Sequence, residues 1–201
     1  RGLRAGLPDH HGVLVRPGTG APVASEAVDD RHVVLVGPMG SGKSAVGRAL
    51  ADRLSRPCLD LDRIVVDAAG RSIPEIFATE GESGFRARER DALVEALSGP
   101  PSVIATGGGV VVADGNRSVL GRAGAAVVWL DADLDVLEER VGDGTGRPML
   151  AGGVADGLAA TVRRRRPLYD EVASVRVDTT RGTPDQVVER VVAALGAGAD
   201  R

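Results

Sequence analysis

Gly37-Pro-Met-Gly-Ser-Gly-Lys-Ser44, directly after the apolar run His32-Val-Val-Leu-Val36, carries the spacing G-x-x-x-x-G-K-[ST]. A turn whose successive backbone N–H groups face phosphate oxygens has no room for side chains on its inner surface, which suits glycine at 37, 40 and 42. In such a loop Lys43 reaches the β- and γ-phosphates and the Ser44 hydroxyl ligates Mg²⁺. The helical pattern Ala45–Leu54 that follows puts the positive end of a helix dipole at the same place. Strand, loop and helix in this order imply a nucleotide-binding α/β domain rather than a chance glycine-rich turn.

Working outward, apolar runs of strand length recur at 32–36, 58–61, 102–106, 125–130 and 174–178. Helical patterns separate them at Ala45–Leu54, Gly84–Leu97, Asp114–Arg122, Asp133–Val141 and Gly157–Arg166, and Pro184–Leu195 closes the chain. Five short strands alternating with helices predict a parallel sheet. The connection from 62 to 101 is longer than one crossover helix needs, and such an insertion is expected to carry a binding site. Residues 1–30, with Pro8, Pro17 and Pro22 and no apolar period, are expected to form a disordered extension.

Composition narrows the partners. In 201 residues the formal net charge is −3 and only Phe77, Phe85, Trp129 and Tyr169 are aromatic, so a nucleic-acid surface built on basic charge and base stacking is not expected. The run Arg163-Arg-Arg-Arg166 reads instead as an arginine-rich helix end, partly solvated and partly aimed inward. Cys58 is the single cysteine, and no apolar run approaches the ~18 residues of a membrane span. A small-molecule enzyme in a reducing cytoplasm, acting as a monomer, is the expectation.

Several stretches carry chemistry beyond nucleotide binding. Leu59-Asp60-Leu61-Asp62 closes the second run, and on a strand its two carboxylates share a face at the sheet's C-terminal edge. Asp60 suits the Mg²⁺ shell through a water, and Asp62 suits an acceptor hydroxyl. Asp131, which ends Ala125-Ala-Val-Val-Trp-Leu130, competes for the Mg²⁺ role but reads equally as the approach to a helix N-cap. Thr106-Gly107-Gly108-Gly109 would let a ligand press on bare backbone. Phe85-Arg86-Ala-Arg-Glu89 is expected to open a helix on which Arg86 grips a carboxylate while Glu89, one turn on, orients it. Gly142–Gly153, with Arg147-Pro148 at its centre, has the composition of a lid over about 142–154.

Taken together these motifs resemble shikimate kinase from about Val33 to about Val192. The loop Gly37–Ser44, the paired aspartates, the insertion Gly70–Glu89, the glycines 107–109, Arg147-Pro148 and Arg165-Arg166-Pro167-Leu168-Tyr169 follow in the family's order. The resemblance implies a three-layer α/β/α sandwich around a five-stranded parallel sheet. This is a P-loop kinase of the nucleoside monophosphate kinase type, one domain over 31–198 with the acceptor-binding insertion at about 62–98. It implies that ATP, with Mg²⁺ on Ser44 and Asp60, is bound by Gly40, Ser41, Gly42, Lys43, Ser44 and Ala45, with Arg140 and Arg147 on the phosphates. Shikimate's carboxylate would lie on Arg86 and Arg165, with Glu89 behind. Its hydroxyls would meet Asp62 and the Gly107–Gly109 backbone, and Phe77 and Phe85 would wall the pocket. Asp62 would orient and deprotonate the 3-hydroxyl, with Lys43 and Arg147 also catalytic, giving shikimate 3-phosphate and ADP. One position departs from the family: where an arginine flanks adenine, this chain has Gly182. Arg181 and the backbone from there to Pro184 are expected to substitute.

Overall fold

A computed structural model describes residues 30–142 and 154–199. The extension expected over 1–30 falls, but for its last residue, outside the described residues. The lid expected over about 142–154, Arg147 included, falls outside them as well but for its two end residues.

Among the described residues five strands form one parallel sheet: β1 Val33–Val36, β2 Cys58–Asp60, β3 Val103–Ala105, β4 Ala126–Asp131 and β5 Val175–Asp178, in the order β2-β3-β1-β4-β5. Val33 pairs with Val103 on one side and Ala126 on the other, which fixes β1 at the centre. From β1 the chain runs to one edge for β2 and β3, then crosses to the other for β4 and β5. The strand order therefore reverses beside β1, and crevices at such reversals are where open α/β sheets bind ligands.

Helices cover both faces: α1 Lys43–Leu54, α2 Leu61–Ala69, α3 Ile73–Ser98, α4 Asp114–Arg122, α5 Leu134–Val141, α6 Val154–Val172 and α7 Pro184–Ala199. β1 is buried throughout, as a central parallel strand must be, yet its side chains still alternate. Val33 and Leu35 pack with Leu50 of α1 and Val191 of α7, whereas Val34 and Val36 pack with Leu93 of α3 and Leu120 of α4. The four aromatic rings all lie on this second side. A smaller cluster, Leu137, Val141, Leu158 and Val162, seals α5 against α6.

Three boundaries differ from the sequence expectation, each for a local reason. First, β2 stops at Asp60 because that residue is the N-cap of α2: its Oδ1 accepts from the N–H groups of Asp62 (3.1 Å) and Arg63 (3.3 Å). Asp62 therefore stands in the first turn of a helix, not at i+2 along a strand. Second, the helical segment whose opening turns carry Arg86 starts just before the expected Gly84. It lies in the second half of α3, beyond a break at Gly81, whose φ of 70° and ψ of −175° suit glycine alone. Third, Arg163–Arg166 is not a helix end, since α6 runs through Pro167 to Val172.

Candidate active site

The loop after β1 is closed by contacts that leave no space at Gly37, where a Cβ would come within 2.2 Å of the Leu130 carbonyl. Its lysine begins α1, and Nζ donates to the carbonyls of Gly37 and Pro38 at 2.8 Å each. One residue on, the Ser44 hydroxyl donates to Asp60 Oδ2 at 3.3 Å. Asp60 thus divides its work: Oδ1 caps α2 while Oδ2 meets Ser44. Two hard oxygen donors from the loop and the adjoining strand fit Mg²⁺, which prefers one or two protein ligands and keeps waters. Among the described residues no cluster of three or more His, Cys, Asp or Glu offers a closed metal cage.

Asp131 is not available for that role. Its buried carboxylate receives Arg166 Nη2 at 3.1 Å and Arg176 Nη2 at 2.5 Å, and the Arg176 guanidinium lies 4.5 Å from the centre of the Trp129 ring. Arg140 is likewise committed to backbone, donating to Thr179 O at 2.7 Å and, more distantly, to Gly40 O at 3.4 Å. It braces the phosphate loop against the turn after β5. In that turn Arg181 is exposed and its carbonyl accepts from Arg190 Nη2 at 2.6 Å; Gly182 follows at φ 104°.

A cleft of about 680 Å³ joins this loop to a second group of residues. Gly40, Gly42, Lys43, Ser44 and Ala45 line one end, and Asp62, Arg86, Glu89 and Arg165 the other, with Gly107–Gly109 between them. Phe77 and Phe85 stack at 4.8 Å between ring centres and form an apolar wall. Ser41 is fully buried beneath the loop.

The second group is tightly built. Arg86 Nη1 donates to Glu89 Oε2 at 2.8 Å, one helical turn away, and Nη2 to Glu82 at 3.3 Å. Glycines make this arrangement sterically feasible. A Cβ at 107 would lie 2.7 Å from Asp62 Oδ1, and one at 109 would lie 2.5 Å from Arg86 Nη2. The Gly108 carbonyl accepts from Arg165 Nη1 (3.0 Å) and from Tyr169 Oη (2.6 Å). Residues 165 and 169 are one turn apart on α6, so a single helix face locks the glycine backbone.

Charge in the cleft is shaped by burial. Asp62 is pushed above the ordinary carboxylate range by desolvation and then by the neighbouring Asp60 charge, against the pull of Lys43 and Arg86. Desolvation also raises Glu89, opposed by Arg86. The Tyr169 hydroxyl, buried beside Arg165, is pushed up to about 12. Two members carry no site role in the sequence reading, although Tyr169 belongs to a motif quoted there. Tyr169 was legible as the i+4 partner of Arg165, whereas Asn116, which touches Glu89, had no local signal.

A buried carboxylate, a phosphate loop and two guanidinium groups face one cleft, an arrangement able to bring a nucleotide phosphate against an anionic acceptor. The family model described as shikimate kinase matches residues 39–196. A shikimate kinase from Symbiobacterium thermophilum is 47% identical over 173 residues, which are 85% of this chain and 99% of that protein. Among solved structures, the shikimate kinase from Acinetobacter baumannii in complex with shikimate has a TM-score of 0.83 at 34% identity, covering 89% of this chain and 99% of that one. A gluconokinase from Sinorhizobium meliloti shares the fold, with a TM-score of 0.59 at 24% identity over 86% of this chain and 95% of its own. With the sheet order, the phosphate loop and these matches in agreement, the chain has the P-loop kinase fold and belongs to the shikimate kinase family.

Proposed function

We propose that this chain transfers the γ-phosphoryl group of ATP to the 3-hydroxyl of shikimate, releasing ADP and shikimate 3-phosphate. The observation that carries the proposal is the cleft itself, with Lys43 and Ser44 at one end and Asp62, Arg86 and Arg165 at the other. ATP lies on the Gly40–Ala45 loop, with Lys43 turned from its own backbone onto the β- and γ-phosphates. Arg140 holds the loop that frames them, and the backbone from Arg181 to Pro184 borders the adenine. Ser44 and Asp60 would hold Mg²⁺, which when bound would neutralise phosphate charge.

Arg86 and Arg165 grip the acceptor carboxylate, Arg86 kept in plane by Glu89, while Phe77 and Phe85 cover the ring's apolar face. Asp62 and the Gly107–Gly109 backbone take the hydroxyls. Because the transferred group passes through a loose, metaphosphate-like state, alignment of the 3-hydroxyl matters more than base strength. Asp62 still has to accept the proton, and a carboxylate raised by burial keeps it more readily than a solvated one. The enzyme works as a cytoplasmic monomer. In support, Val94 is the only exposed large hydrophobic side chain among the described residues.

A coupled ADP-release assay with shikimate, with gluconate and with no acceptor tests the reaction. Turnover with shikimate alone is expected. Turnover with gluconate, or equal ADP release without acceptor, contradicts it.

A further inference from the structure

Glu89 and Asn116 are both fully enclosed, at 1% and 0% exposure, and neither is consumed by the core. Asn116 comes from the first turn of α4 and Glu89 from the middle of α3, 27 residues earlier. The Asn116 Nδ2 donates both to Glu89 Oε2 (3.2 Å) and to the Val110 carbonyl (3.0 Å), just beyond the Gly107–Gly109 loop. The Val110 carbonyl can only accept, so the amide nitrogen must face it, which fixes the orientation of the side chain. Asn116 Oδ1 and Glu89 Oε1 are left buried without a hydrogen-bond partner among the described residues. Glu89 Oε1 lies 3.2 Å from the point where a Gly107 Cβ would stand, a point that is 2.7 Å from Asp62 Oδ1. Asn116 therefore meets one Glu89 oxygen away from the cleft lining, while the other oxygen lies beside Gly107, which lines the cleft.

We propose that Asn116 is a positioning residue for the acceptor: its amide staples the Arg86–Glu89 ion pair to the glycine loop, so that the cationic fork and the backbone opposite it keep one spacing. The inference rests on the assignment of Arg86 to the acceptor carboxylate. Glu89 Oε2 is held between Arg86 Nη1 at 2.8 Å and Asn116 Nδ2 at 3.2 Å, and neither donor alone fixes the carboxylate plane. Serine at 116 could not reach two acceptors at once, and aspartate would offer no donor at neutral pH. The groups facing Glu89 are Arg86 on its own helix, Asp62 from α2 and Arg165 from α6, so Asn116 is the one neutral donor in the set. Its removal also makes Glu89 harder to ionise, because a buried carboxylate loses a hydrogen bond to its charged form.

Steady-state kinetics on the full chain test this with Asn116→Asp, Asn116→Ser and, as the reference for the underlying assignment, Arg86→Lys. For Asn116→Asp, KM for shikimate is expected to rise about tenfold, the worth of one charge-assisted hydrogen bond, with KM for ATP unchanged. The acid limb of kcat/KM for shikimate should move to higher pH. Asn116→Ser, smaller and uncharged, should give a smaller rise in the same parameter with no displacement of the limb beyond that caused by the lost donor. Restoring a donor–acceptor pair in the reversed order, Asn116→Asp with Glu89→Gln, should recover part of the loss. If KM for shikimate stays at the wild-type value in both single variants while Arg86→Lys raises it, the inference fails and the Arg86 assignment stands. If Arg86→Lys leaves KM for shikimate unchanged, both fall. Parallel loss of shikimate and ATP affinity in proportion to a lowered Tm would show a purely structural asparagine and overturn the proposal.

Discussion

Asp62 carries the sharpest residue-scale expectation, because it lines the cleft and is proposed to meet the acceptor, while its neighbour Asp60 meets Ser44. Asp62→Asn should lower kcat by roughly 10²–10⁴, the range general-base groups contribute, and leave KM for ATP unaltered. A near-normal kcat would remove Asp62 from the reaction. Tyr169 offers a second test, helped by being the only tyrosine in the chain. Its burial favours the neutral hydroxyl, so the folded protein should titrate at about 12 against 10.0 when unfolded. The folded state then binds the proton more tightly: the associated stability is complete below pH 10.0 and is lost as pH rises toward about 12. Ultraviolet tyrosinate absorbance of native and denatured protein measures both values, and coincident titrations would show that the hydroxyl is not sealed against Gly108. At this scale the sequence was informative wherever chemistry repeats locally. Arg86 and Glu89 are one turn apart, and Lys43 and Ser44 are adjacent; Asn116 reaches Glu89 only through the tertiary fold, and no spacing announces it.

At the scale of elements, α3 is the part that moves the account furthest from a simple crossover. Glu75 Oε2 accepts from the Ser72 N–H at 2.7 Å and from its hydroxyl at 2.6 Å, which fixes where the helix starts. Just before the break at Gly81, Glu80 pairs with Arg71 from the α2–α3 turn and with Arg88 at 2.7 Å from beyond the break. The kink is therefore held from both sides, and it is what brings Phe77 over Phe85 at 4.8 Å. Gly81→Ala should cost about 1–3 kcal/mol, the usual strain for a side chain in this backbone region, and raise KM for shikimate more than KM for ATP. Denaturant unfolding with kinetics on both substrates checks it; unchanged stability would mean that the break is not built as described. This break was hidden in the sequence because Gly70, Gly81 and Gly84 all interrupt the same stretch and only the backbone distinguishes them. In the same way Asp60 read as a strand end, since a cap and a terminal strand residue look alike until the next turn is seen to be helical. The helical pattern expected to end at Arg166 continues through Pro167 to Val172, and its last turns pack Tyr169 against Trp129, 5.8 Å between ring centres.

For the whole molecule, the parallel sheet was legible because buried strands between helices leave short aliphatic runs, and β1 and β4 are buried along their full length. What no run of residues reveals is that β3 inserts between β1 and β2, and it is this order that sets the glycines 107–109 between the phosphate loop and Arg86. The core is packed from apolar side chains, aliphatic on one face of the sheet and joined by the aromatic rings on the other. Chelation should therefore abolish turnover while leaving Tm and circular dichroism unchanged, whereas a lowered Tm would make the ion structural. The central claim is the identity of the acceptor and of the hydroxyl that reacts. Nuclear magnetic resonance of the product formed from ATP, Mg²⁺ and shikimate decides it most directly. The account predicts one phosphate ester, on the 3-oxygen, formed in equal amount with ADP; an ester at another hydroxyl, or ADP without any ester, would contradict it.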